Sequence, residues 1–336
     1  SPALSEVDSP ARVLVTGAGG PAAYGFLRMV TDPTVELWAA DMDPLAAGLY
    51  LVDRSRRLLL PRATDPAFTD TVLEACRRHQ IDVLVPTVDD ELLVLAADYE
   101  RFTEAGIKLL MNPPSTLKGC LDKLVLARLC AEKSLVPRTE LLTSQTEAWF
   151  PAIVKPRSGS GSRGVKLVEE PADLVGVPLD GSYIIQEFLP GEEYSVDVLV
   201  RGDGTVVAAV PRTRDKVDSG VAVASRTVLD RTLIDAATTV AQVIGVRGVA
   251  NVQLRRNAKG RAALLEVNPR LPGTLVLTAA AGANLAALAL DDVLGREVPD
   301  HLEVREVAVV RHLSEIVVPL PEYGAESRTH ETAVAP

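Results

Sequence analysis

A chain of 336 residues, 47% of them hydrophobic, has the length for two or three cores, since single domains usually run to about 100–200 residues. A formal charge of −10 excludes nucleic acid as a general partner, because phosphate backbones select basic surfaces. No apolar run approaches the roughly 18–20 residues of a membrane span, no signal segment opens the chain, and Cys76, Cys120 and Cys130 form no paired framework; the expectation is a cytoplasmic protein with reduced thiols and no membrane partner.

In chain order, the first nine residues are polar and read as a leader. Structure is predicted from Arg12: a strand over 13–15, a tight glycine turn over 17–20, a helix over 22–30, a strand over 35–40, a helix over 69–79 and a strand over 82–86. Apolar strands alternating with helices predict βαβ units and a parallel sheet, closed near Asn112-Pro113-Pro114, where two prolines stop the last strand. Beyond it come a helix over 121–133, strands over 152–156, 165–168 and 183–187, a helix over 233–244 and an alanine-rich helix over 279–290. Residues 327–336 lack apolar periodicity and read as a disordered tail.

The chemistry begins at Ile153-Val154-Lys155-Pro156, a strand that ends in a cation and runs into Ser158-Gly159-Ser160-Gly161-Ser162-Arg163-Gly164. Backbone N–H groups of such a loop can close over anionic oxygens, so the pair reads as a phosphate-holding device. A second segment, Glu266-Val267-Asn268-Pro269-Arg270, places Glu266, Asn268 and, if the strand persists, Arg270 on one side, with Leu265 and Val267 on the other. Asn257-Ala258-Lys259-Gly260 reads as a hairpin turn that sets Gln253 roughly opposite Glu266. Hard oxygen ligands with room for phosphate suit Mg²⁺, with Mn²⁺ as a substitute.

At these residues the chain resembles the ATP-grasp superfamily, and within it the carbamoyl-phosphate-synthetase-like group, from about Arg12 to about Val298. The resemblance implies an α/β (α+β) fold: a Rossmann-like preATP-grasp domain over 10–113, then a two-lobed ATP-grasp fold over 114–185 and 186–320, with a tail over 321–336. It implies that Lys123 and Lys155 hold ATP phosphates under the 158–164 lid, that Gln186, Glu187, Phe188 and Leu189 line the adenine, and that Glu193 takes the ribose hydroxyls. It implies Gln253, Glu266 and Asn268 as metal ligands and Arg270 as the group that stabilises the transferred phosphoryl, and it points to pairing as a homodimer. In the synthetase a second arginine follows the Asn-Pro-Arg triplet; here Leu271-Pro272-Gly273-Thr274 stands instead, which counts against bicarbonate or carbamate chemistry.

Two further features stay open at this stage. Gly17-x-Gly19-x-x-Ala22 with Asp41 fits a dinucleotide fingerprint and keeps a nicotinamide oxidoreductase as an alternative, while Thr87, Asp89, Asp90 and Glu91 follow a strand end where ligands of open sheets bind. Arg212, Arg214 and Lys216, with Ser219, Gly220 and Gly273, read equally as a solvated loop or as a clamp for a substrate carboxylate, and Asp197 reads as a paired structural carboxylate. The expected activity is ATP-dependent ligation of a small carboxylic acid or amino acid to an amine through an acyl phosphate; a catalytically silent ATP-binding sensor is the remaining alternative.

Overall fold

In the computed structural model, residues 9–159 and 163–324 are described; Ser160, Gly161 and Ser162 of the predicted lid, the leader up to residue 8 and the tail from 325 lie outside them. Two compact units divide the chain. One holds the residues up to Met111, Ala286–Arg296 and the segment from Leu313; the other holds Asn112–Leu285 and Glu297–His312.

The first unit strings together β1 (Ala11–Val15), α1 (Pro21–Met29), β2 (Val35–Asp41), β3 (Arg57–Leu59), α2 (Phe68–Arg78), β4 (Val83–Val85), α3 (Asp89–Ala97), α4 (Tyr99–Glu104) and β5 (Lys108–Leu109). All its strands pair in parallel in the order β3-β2-β1-β4-β5, as the strand–helix alternation predicts. Leu14, Trp38 and Leu84 from the strands meet Phe68, Val72, Leu95 and Phe102 from the helices in one core. Two late segments belong to this unit and not to the second lobe expected over 186–320: Arg296 donates to Asp32 and Thr34 at 2.9 Å each, and Glu322, in the short turn Leu320–Glu322, meets Arg57 at 3.4 Å. Residues 321–324, expected as the start of the tail, are part of this unit, since Gly324 also donates to the Tyr50 hydroxyl at 2.8 Å.

Gly17 turns the chain out of β1 with φ +64, and a Cβ there would stand 2.6 Å from Thr87 Oγ1. Around this turn Thr87 Oγ1 donates to the Thr16 carbonyl at 2.8 Å and Thr16 Oγ1 donates to Glu91 Oε2 at 2.6 Å. Burial pushes the Glu91 carboxyl up to about 7; the Thr16 bond opposes that shift, and the Asp41 carboxylate adds to it.

The second unit opens with α5 (Pro114–Leu121) and α6 (Lys123–Cys130). The single helix predicted over 121–133 breaks at Asp122, whose side chain caps the Leu124 and Val125 N–H groups and thereby starts a new helix. Strands β6 (Thr139–Thr143), β7 (Ala152–Pro156), β8 (Lys166–Val168) and β9 (Asp180–Glu187) form an antiparallel sheet in the order β6-β9-β7-β8 over a small core of Leu142, Ala152, Val154, Val168 and Ile185.

Next come β10 (Glu193–Val200), β11 (Val206–Thr213), β12 (Lys216–Asp218), β13 (Val221–Arg226), α7 (Arg231–Ile244), β14 (Gly248–Arg256) and β15 (Ala262–Asn268). A larger antiparallel sheet runs β11-β10-β14-β15, and β12-β13 pair with β16 (Ala308–Val310) in a third. The larger sheet has two unlike faces, because successive side chains of a strand point to opposite sides. Val196, Val198, Val252, Leu254, Leu264 and Val267 pack on Leu233, Ala237, Val240 and Ile244 of α7, while the other face carries polar side chains. The sequence puts Leu265 beside Val267, but the pairing shifts by one residue between Gln253 and Leu254, so Leu264 takes that core place. The alanine-rich stretch is two helices, α8 (Leu275–Ala280) and α9 (Leu285–Val293), and not one: Gly282 between them has φ +106, a value no helix contains. Among the described residues no helix is long and apolar enough to cross a membrane.

Because the carboxyl of Glu91 titrates about 7 in the folded chain against an ordinary 4.5, the folded state binds more protons than the unfolded across that window. Its contribution to stability is therefore full below pH 4.5 and lost as pH rises through 7. Glu91→Gln is expected to remove this loss and to unfold later in urea than the parent at pH 8, by about 2 kcal/mol, with little difference at pH 4.5.

Candidate functional site

Lys155 lies one residue before the end of β7 with its side chain opposite the Ala152 and Val154 core face, and only 5% of the residue is exposed. Burial pulls its ammonium down to about 8 from an ordinary 10.5. The Glu266 carboxylate opposes this, Lys123 lowers it further, and Glu193 opposes it more weakly. Three charged groups from three other stretches of sequence thus bear on Lys155 of β7: Lys123 from the start of α6, Glu193 from the start of β10 and Glu266 from β15.

Local structure explains how each is held. Asp122 caps α6 through one oxygen and accepts from Arg157 Nε at 2.8 Å through the other; the Lys123 N–H reaches the Arg157 carbonyl at 2.9 Å and its Nζ reaches the Gly159 carbonyl at 3.0 Å. Helix start and glycine loop are therefore stapled together, with Ser158 bridging back to Asp122. Neither Asp122 nor Arg157 was singled out in the sequence, although an Asp two residues before an apolar helical run is a cap signature that could have found Asp122.

On the larger sheet Gln253 lies across from Glu266, as its turn predicts, and Asn251 lies across from Asn268. With Ser195 across from both Gln253 and Arg212, the polar face reads Arg212, Ser195, Gln253, Glu266 along one row and Asp197, Asn251, Asn268 along the next. The strand ends at Asn268, so Arg270 follows Pro269 outside it, half-buried, with Nη1 at 3.5 Å from the Leu271 carbonyl.

Among the adenine candidates, Gln186 is buried and donates from Nε2 to Thr139 Oγ1 at 2.9 Å, Glu187 accepts the Arg138 N–H at 3.2 Å, Phe188 is half-buried and Leu189 is buried. Arg212 is a correction. β11 continues past Pro211 to Thr213, which carries Arg212 into the sheet, where its Nη1 pairs with Asp197 at 2.8 Å and only 5% of its side chain is exposed. A guanidinium so placed neutralises a structural carboxylate and is no surface clamp. Arg214 is half-buried, 3.7 Å from Glu193 and 3.3 Å from the Gly220 carbonyl, while Lys216 at the start of β12 and Ser219 and Gly220 on the β12–β13 turn are exposed. A cation not foreseen stands at Gly273: Arg311 Nη1 donates to its carbonyl at 2.9 Å, from a segment 38 residues away in sequence.

Asp41, the acid of the dinucleotide reading, accepts the Gly19 and Asp43 N–H groups at 2.9 Å each and is committed to its own turn. No group of three His, Cys, Asp or Glu side chains among the described residues could hold a metal. The expected ligand set on the polar face is one carboxylate, Glu266, with the amides Gln253 and Asn268. Such a set fits a hard cation that brings phosphate oxygens with it, and does not fit one held by protein alone.

Residues 181–316 match the family described as ATP-grasp in the biosynthetic pathway with Ter operon, and residues 13–110 match the PylC-like N-terminal domain. The carbamoyl phosphate synthase large chain of Thermus thermophilus is 29% identical over 266 residues, covering 67% of this chain and 25% of that protein. A D-alanine–D-alanine ligase of Gloeobacter violaceus is 28% identical over 197 residues, 50% of this chain and 64% of that one. Biotin carboxylase from Campylobacter jejuni superposes with a TM-score of 0.72 at 17% identity, over 87% of this chain and 73% of that one. The chain thus spans about a quarter of the length of the carbamoyl phosphate synthase relative.

Between pH about 8 and 10.5 the folded chain binds fewer protons at Lys155 than the unfolded chain does, so stability should rise with pH across that window. Lys155→Met is expected to stabilise the nucleotide-free protein by about 2 kcal/mol at pH 7 and to flatten the rise, as read by urea unfolding at pH 7 and pH 10. A variant less stable than its parent at pH 7 would mean that the ammonium is better solvated than its burial implies.

Proposed function

With an ATP-grasp domain following a PylC-like N-terminal domain, the chain is a member of the ATP-grasp superfamily, and we propose that it is an ATP-dependent ligase that joins a small carboxylic acid, in the first instance an amino acid, to an amine. The observation that carries this reading is the buried Lys155, on which Glu266, Lys123 and Glu193 all bear, with Glu266 and Glu193 on a sheet face that also carries Gln253 and Asn268. A buried lysine beside a glycine loop and an oxygen-donor row meet the two needs of phosphoryl transfer, cations for the developing charge and a seat for metal.

In this reading Lys123 and Lys155 hold the phosphates, with Ser158 and Gly159 at the start of the covering loop. Gln186, Glu187, Phe188 and Leu189 line the adenine, and Glu193 takes the ribose. Gln253, Glu266 and Asn268 would hold Mg²⁺, which supplies neutralisation of the β and γ oxygens when bound. Arg270 stabilises the phosphoryl group in flight. A carboxylate is a poor electrophile; transfer of the γ-phosphoryl to it breaks the β–γ bridge, releases ADP and leaves an acyl phosphate, from which an attacking amine displaces phosphate to give an amide. Water would hydrolyse that intermediate, so the loop must exclude it.

For the acid, Arg214, 3.7 Å from Glu193, and Arg311, which donates to the Gly273 carbonyl, supply guanidinium groups, with Lys216, Ser219 and Gly220 as exposed candidates. The similarity to a protein named D-alanine–D-alanine ligase supports an amino acid in that place. The nicotinamide alternative loses its support, because Asp41 is engaged with the turn it would have to leave.

Incubation with Mg-ATP and mixtures of amino acids and small organic acids, scored for ADP, phosphate and new amide masses, tests the proposal. Turnover with a defined acid–amine pair is expected, and Glu266→Gln should lower it more than 100-fold with an unchanged unfolding midpoint. ADP release driven by bicarbonate alone, with carbamoyl phosphate accumulating, would sink it; tight ATP retention with no turnover on any acceptor would leave a sensor in its place.

A further inference from the structure

Asp197 lies at the centre of the polar sheet face and is fully buried. Its Oδ2 accepts from Arg212 Nη1 at 2.8 Å, from Thr278 Oγ1 at 2.5 Å and from Thr274 Oγ1 at 3.4 Å, and its Oδ1 accepts from Asn251 Nδ2 at 2.8 Å. A charged carboxylate only accepts, so the end of the Asn251 amide that faces it has to be the NH₂. The carbonyl end of Asn251 then faces across the strand pair to Asn268, its register partner, whose Nδ2 stands 3.5 Å from Asn251 Oδ1. With its NH₂ turned toward Asn251, Asn268 has its oxygen turned the other way, on the sheet face that bears Glu266 and Gln253.

We propose that Asp197 and Asn251 are positioning residues that set which end of the Asn268 amide is offered to the metal. This rests on the reading of Asn268 as a metal ligand given above. An amide has one end that can bind a cation and one that repels it, so a ligand asparagine needs its orientation decided before the metal arrives. Arg212 has its place in the same chain of contacts: it and the two threonines fill Oδ2 and leave Oδ1 to Asn251. The arrangement accounts for a strongly engaged, fully buried carboxylate on a face whose other acids, Glu193 and Glu266, are half-buried.

The test uses the full chain with a non-hydrolysable ATP analogue and Mn²⁺, whose binding is read by electron paramagnetic resonance. Asn251→Leu removes the relay and leaves the Asp197–Arg212 pair in place; it is expected to weaken Mn²⁺ roughly tenfold, in the range that loss of outer-shell partners of metal ligands produces. In an Asn268→Asp background, where both ends of the side chain are oxygens and orientation no longer matters, the same Asn251→Leu change should leave Mn²⁺ affinity unchanged or improve it. Asp197→Asn, which offers Asn251 an NH₂ and so inverts the relay, should show the same dependence on background wherever it folds. A purely structural role would weaken both backgrounds alike, and that result, or an undiminished affinity in Asn251→Leu alone, overturns the relay. Failure of the parent chain to hold Mn²⁺ with the nucleotide analogue would instead overturn the metal reading on which it stands. Analogue binding without metal, measured in the same samples, separates loss of the nucleotide site from both.

Discussion

A pleated strand gives every second side chain to one side, and the candidate site depends on that alternation in the β11-β10-β14-β15 sheet. Valines and leucines on one face are claimed by α7, which leaves Ser195, Asp197, Asn251, Gln253, Glu266 and Asn268 together on the other. The apolar face thereby fixes the polar one: a slip of β15 by one residue against β14 would expose Val267 and bury Glu266. The irregularity of that strand pair, the shift after Gln253, falls beyond the functional rows and leaves them in register.

The polar face is costly to build, and the structure offsets that cost in two ways. Asp197 is matched by a guanidinium and three further donors, which suits a carboxylate with no access to water. Lys155 is not so matched: burial pulls it down, and two carboxylates recover only part of the loss. A cation kept short of its full solvation gains most when an anionic oxygen comes within reach, which is the condition for strong phosphate binding. Stability and binding therefore oppose each other at Lys155 and support each other at Asp197.

The first unit shows the same economy at its strand ends. Thr16, Gly17, Gly19, Asp41, Thr87 and Glu91 surround the turn after β1, but their hydrogen bonds run to one another. A glycine fingerprint in the sequence thus turns out to be a tightly tied crossover, in which Gly17 is required by φ and by the closeness of Thr87, and Asp41 is held by the turn itself.

Local pattern by itself decided a good deal. The parallel sheet of the first unit, the β14–β15 hairpin and the opposition of Gln253 to Glu266 follow from periodicity and from the Asn257 turn, because period and turn chemistry are properties of neighbouring residues. Lys155 could be picked out for the same reason: a lysine at the end of an apolar strand, before a run of glycine and serine, is anomalous within five residues. What lay beyond sequence depends on partners far along the chain. Arg212 reads as one of a basic cluster until β11 carries it under the sheet to Asp197, 15 residues earlier, and Arg311 could not be tied to Gly273 by any local signal. The helix break at Gly282, the return of Ala286–Arg296 to the first unit and the orientation of the Asn268 amide are of the same kind. Each is settled by a contact between distant segments, and a single sequence records the residue types of such contacts without recording which of them meet.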